Sequence, residues 1–132
     1  MNALTDTLKS PEPRRALSEA AVLSKAAVRA AKLLELTQRE VAAALGISEA
    51  TTSRLFAGKY LLSPERAKEW ELARLLVRMF RSLDALWGHE ETARLWLASP
   101  NTALAARPQD LLRSVEGMVR VVAYLDAARG RL

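Results

Sequence analysis

The stretch LTQREVAAALGISEATTSRLFAGK, residues 36–59, constrains this chain most, because its ends and its middle carry residues that start or stop a helix. Thr37 is placed to cap a first helix and Glu40 to reach back to it, a capping box that fixes the helix start. That helix runs to Leu45, and Gly46 supplies the left-handed conformation through which the chain leaves it. Ser48 caps a second helix that runs to about Ala57 and is ended by Gly58. Val41, Ala42, Leu45, Ile47 and Leu55 are the apolar positions, and small Ala42 lets the two helices cross closely. This is the spacing of a helix-turn-helix.

The second helix is built to be presented. Its outward residues are Glu49, Ala50, Thr51, Ser53 and Arg54, a short polar set able to address base edges. Arg54 suits guanine, Thr51 a thymine methyl group or a phosphate, and Glu49 a cytosine amine. Gln38 opens the first helix, where free N–H groups and the positive dipole end suit a DNA phosphate. Ser48 and Lys59 complete the expected DNA-contacting set. An ordinary helical hairpin with a solvated face is the competing reading. Residues 36–59 resemble the helix-turn-helix of the Xre, lambda-repressor-like family, with Gln38, Ala42, Gly46, Ser48, Leu55, Gly58 and Lys59 at the family's positions. Thr52 departs from it, standing where many members bury a larger apolar side chain.

The rest of the chain reads as helix too. Alanine and leucine supply 47 of the 132 residues, against 8 valines and 1 isoleucine, which favours helix strongly over sheet. Cysteine is absent, so a disulfide framework and a thiolate metal site are both excluded. With no basic-then-apolar leader and no apolar run long enough for a bilayer, a cytoplasmic protein without a membrane partner is expected. The net charge of +5 is modest and has no dense basic tail. DNA affinity would therefore come from a positioned surface, doubled by dimerisation, and fall as salt rises. No metal-ligand cluster, nucleophile-base pair or phosphate-cradling loop is visible, so neither a cofactor nor an enzyme is expected.

Ser10-Pro11-Glu12-Pro13 reads as a break, making residues 1–15 a flexible lead-in. Residues 16–74 then form the DNA-binding unit. Its first helix, from about Leu17 to Glu35, has an apolar face of Leu17, Ala20, Ala21, Leu23, Ala27, Ala30, Leu33 and Leu34, with Lys25, Arg29 and Lys32 outside. Ser63-Pro64-Glu65 predicts the start of a long helix to Trp87. Leu75 to Phe80 is apolar on most sides apart from Arg78, so that helix needs partners on several faces and serves as a spine. Residues 75–132 make the second unit: a helix from Glu90 to Ala98, a brief one from Pro108 through Arg113, and a last one begun by Ser114. Val115, Met118, Val119, Val122 and Leu125 form the expected buried stripe of that last helix. Gly117 within it costs about 1 kcal/mol relative to alanine, which points to another backbone close by. His89, the one histidine, sits at a helix junction and suits a capping or solvent role.

The second unit carries its own resemblance. Trp96-Leu97-Ala98-Ser99-Pro100-Asn101, Leu104, Pro108, Leu111-Leu112, Ser114, Gly117, Val121, Leu125 and Gly130, in that order, resemble the toxin-binding domain of the Xre/MbcA/ParS antitoxins. The resemblance implies an all-α fold, a lambda-repressor-like helix-turn-helix bundle followed by a small helical toxin-binding domain. It further implies a type II antitoxin that covers the active site of a RES or ParT-type toxin, which consumes NAD or transfers ADP-ribose, and that represses its own operon. Carried onto this chain, the toxin-contacting surface includes Arg120 and Tyr124 on the outward face of the last helix and the tail of Ala128, Arg129, Gly130, Arg131 and Leu132. The competing readings are a last helix that merely closes the bundle, and a stand-alone Xre-family regulator with a C-terminal dimerisation or effector domain.

Overall fold

The computed structural model describes residues 11–88 and 90–131, with side chains at all of these except 11–13, 16 and 17. The expectations for residues 1–10, His89 and Leu132 lie outside the described residues, as does that for the Leu17 side chain. Seven helices are described: α1 (Pro11–Leu33), α2 (Gln38–Leu45), α3 (Glu49–Phe56), α4 (Ala67–Trp87), α5 (Glu91–Ala98), α6 (Pro108–Leu111) and α7 (Val115–Gly130). The fold is all-α, a helix-turn-helix bundle followed by a smaller helical unit. Helix α1 takes in Pro11 to Arg15, expected to lie ahead of it. Prolines are tolerated in a first turn, where backbone N–H groups have no intrahelical acceptor.

Helix α1 buries Ala20, Ala27, Ala30, Ala31 and Leu34, while Ala21 is exposed where an apolar contact was expected. Ser24 is buried on the same helix and its Oγ accepts a hydrogen bond from the Leu62 N–H at 2.9 Å. That bond pins the strap after α3 onto α1. Helix α1 ends in a left-handed residue, Glu35 at φ 56°, with the Leu36 N–H returning to Ala31 O at 2.9 Å. Glycines Gly46 and Gly58 close α2 and α3 in the same way.

Helix α4 starts at Ala67 rather than Ser63. Ser63 opens a turn instead, closed by the Arg66 N–H to Ser63 O at 3.0 Å with Pro64 as its second residue, where its fixed φ belongs. The helix then runs 21 residues, about 32 Å at 1.5 Å per residue. It packs against α1, α2, α5 and α7, as an element apolar on several sides must. One buried cluster passes from Ala27 and Leu45 through Leu76, Met79 and Leu83 of α4 to Leu97, Met118 and Leu125.

The loop between α5 and α6 is tied by Asn101, whose N–H bonds Ala106 O and whose Oδ1 accepts from the Leu104 N–H, both at 3.0 Å. Helix α6 stops at Leu111, short of the expected Arg113. Ser114 caps α7 as expected, its side chain accepting from the Gly117 N–H at 3.0 Å. The buried stripe of α7 is not the expected one. Gly117, Met118, Val121, Val122 and Leu125 face inward, whereas Val115 and Val119 are each 48% exposed. Gly117 fits that orientation, because at it the α6 backbone comes close enough to exclude a side chain.

Candidate nucleic-acid and partner interfaces

The start of α2 is fixed by a complete capping box. Thr37 Oγ1 accepts from the Glu40 N–H at 3.0 Å and Glu40 Oε1 accepts from the Thr37 N–H at 2.8 Å. Gln38 is therefore the first helical residue, exposed at a helix end rich in free N–H groups. Gly46, at φ 69°, carries the chain to Ser48, whose Oγ accepts from the Thr51 N–H at 3.0 Å and starts α3. Thr52 is wholly buried, and its hydroxyl donates to Ser48 O at 2.9 Å. The departure from the family at this position thus leaves no unpaired buried polar atom.

Glu49, Ala50, Ser53 and Arg54 are exposed on α3, and Thr51 is half-buried among them. Thr51 Oγ1 accepts from both Ser48 Oγ at 2.9 Å and Arg54 Nη2 at 3.2 Å. These bonds lay the guanidinium along the helix and leave its remaining donors free for another acceptor. Lys59 is exposed just beyond Gly58. The exit from α3 is clamped behind it: Tyr60 O–H donates to Glu69 Oε1 at 2.6 Å, Arg66 Nε meets the same oxygen at 2.6 Å, and the Arg66 guanidinium lies 4.9 Å from the Tyr60 ring centre. Burial, then the bond to Glu69, pushes the Tyr60 hydroxyl above its ordinary pKa, so it remains a donor. Ser48, Glu49, Ala50, Thr51, Ser53 and Arg54 are thus brought together on one rigid short helix, with Gln38 and Lys59 on the segments flanking it.

The expected partner surface is rearranged. Arg120 is exposed, but its Nη2 donates to Leu104 O at 3.0 Å and steadies the loop between α5 and α6. Tyr124 is half-buried rather than outward, stacked on Trp96 at 5.8 Å between ring centres, and Trp96 meets Trp87 at 5.6 Å. Ala128, Arg129 and Gly130 belong to α7 itself rather than to a tail. Arg129 Nη1 donates to Ser82 Oγ at 3.3 Å, and Arg78 pairs with Asp126 at 2.7 Å, so the end of α7 is sewn to α4. Arg131 is exposed at the C-cap. Among the described residues, the large exposed apolar side chains of this half are Val115 and Val119 on α7, Leu95 on α5 at 57%, and Trp87 at 40%. Helical periodicity misses Val115 and Val119 as surface residues because α7 carries valines on more than one side. The one available signal is Gly117, which marks the closely packed side.

This geometry defines a helix-turn-helix protein with a second helical unit fused to it through a shared helix. Two family models match: the antitoxin Xre-like helix-turn-helix domain over residues 13–78 and the antitoxin Xre/MbcA/ParS C-terminal toxin-binding domain over residues 82–131. A search of curated proteins finds no match. The chain belongs to the Xre-like antitoxins, with a DNA-binding half and a toxin-binding half. Among the described residues no helix is long and apolar enough to cross a membrane.

Proposed function

We propose that this antitoxin represses its own operon through α3 and neutralises a toxin of RES or ParT type, which consumes NAD or transfers ADP-ribose from it, by covering the toxin's active site. The observation that carries the reading is that one chain presents two unpartnered surfaces of opposite character. One is the polar row on α3, and the other the apolar pair Val115 and Val119 on α7. A homodimer would place two α3 helices in successive major grooves, one helical turn apart. Arg54 reads guanine, Thr51 touches a methyl group or phosphate, and Gln38 and Lys59 hold the backbone. Arg54→Ala should weaken operator binding by about 1–3 kcal/mol and relax specificity at one position. Uniform loss on every sequence, seen by footprinting or anisotropy, would make it a phosphate anchor instead.

On the toxin side, Val115 and Val119 supply the apolar contact, with Arg120, Tyr124 and the exposed Arg131 beside the end of α7. Tyr124 acts through its stack on Trp96, and Arg129 through Ser82, as props for that end. Co-expression with the neighbouring reading frame tests this: a toxic product that co-purifies with the chain and is silenced by it supports the proposal. Val119→Asp should leave the melting temperature nearly unchanged, because the side chain is half in water, yet weaken the complex about tenfold, a loss of 1.4 kcal/mol. A chain that binds its promoter but finds no such partner, and whose Val119→Asp form loses self-association, would be a stand-alone regulator.

A further inference from the structure

Helix α2 and the segment from α6 to Arg113, distant in sequence, both line a cleft of about 290 Å³. Arg39, Glu40 and Ala43 line one wall; Asp110, Leu112 and Arg113 line the other. Arg39 is exposed, and the Arg113 side chain is 71% exposed with one ion pair, at 3.5 Å to Asp110 Oδ1. Each acid at this cleft is also held by a group outside its lining. Glu40 Oε1 caps the Thr37 N–H at 2.8 Å, and Asp110 accepts two bonds from Arg107, at 2.9 and 3.2 Å. The charged residues of the lining are thus two arginines, Arg39 and Arg113, and two carboxylates, and both carboxylates are tied to groups outside it: Glu40 to the Thr37 N–H and Asp110 to Arg107.

A helix-turn-helix lays its first helix across the DNA backbone, so a cation standing beside the first turn of α2 stands beside a phosphate. Arg39 follows Gln38 in that turn, and Arg113, from the other half of the chain, lines the same cleft. We propose that Arg39 and Arg113 form a second phosphate clamp, through which the C-terminal half also grips the operator duplex. The proposal rests on the operator-binding reading of α3 and extends it. The clamp carries no base specificity; it adds affinity and fixes how the duplex lies against α6. It also differs from the toxin-binding row, since neither Val115 nor Val119 lines this cleft.

The test measures binding of the full chain to a labelled duplex covering the region upstream of its own gene, as salt is raised. Each lost phosphate contact should flatten the slope of log affinity against log salt by about 0.9. Arg113→Ala should therefore lower the slope by about 0.9, and Arg39→Ala with Arg113→Ala by about 1.8, on that duplex and on a scrambled one alike. Arg113→Lys should restore the slope, and melting temperatures should match wild type. A steep wild-type slope that the alanine variants leave unaltered would overturn the clamp while sparing the α3 reading. A wild-type chain that binds neither duplex would overturn both.

Discussion

Gly117→Ala should be among the most damaging single-methyl additions this chain can receive. An ideal Cβ at residue 117 falls 2.0 Å from Leu111 O and 2.8 Å from Leu111 C, contacts with backbone that no side-chain rotation relieves. Helix α6 would have to withdraw, taking with it Pro108 and Leu112, both buried. Overpacking costs about 1–3 kcal/mol, more where the obstacle is rigid, while alanine returns about 1 kcal/mol of helix propensity. With the obstacle at the rigid end of that range, we expect a net loss of about 2 kcal/mol or more, a fall in melting temperature of at least about 6 °C. Gly130→Ala in the same helix is the control. Nothing lies within 4 Å of its Cβ, and that variant should be neutral or slightly more stable. Equal thermal melts for the two would refute the close approach of α6 to α7.

Leu125→Ala should destabilise the DNA-reading half as well as its own. Leu125 has no exposed surface and lies in the same buried cluster as Leu83, Met79, Leu76 and Leu45. Removing a wholly buried leucine costs about 2–5 kcal/mol through lost transfer energy and the cavity left behind. Because α4 contributes to the packing of both halves, that loss should appear as one transition moved to lower temperature. Helix content and retained operator binding should fall together across it, the signature of two-state unfolding. A variant whose operator binding survives to the wild-type temperature while helix is lost in a separate, earlier step would show two independent cores.

The helix-turn-helix was legible because each of its ends is a chemical decision made locally. Thr37 with Glu40, Gly46, Ser48 and Gly58 all stand where the chain turns. Ser114 was legible for the same reason. Ser63 shows the limit of that reasoning: a serine before a proline suits a cap and a turn equally, and the bond from Arg66 to Ser63 O chose the turn. Helix α7 shows another. Its valines point to several sides, so periodicity could not say that Val121 goes in and Val119 stays out. Gly117 did signal a neighbouring backbone, though not that Leu111 supplies it. That Arg39 and Arg113 line one cleft was beyond reach, since residues so far apart in sequence are brought to it only by the fold.

The spine has a consequence for turnover. A chain made of two beads on a string offers a protease a soft joint, and clipping there would spare one bead. Here the passage from one half to the other lies within α4, a continuous helix whose inner residues belong to the core both halves share, so cutting at that joint requires the shared core to open first. Once it does, the DNA-binding half and the toxin-binding half come apart in the same event.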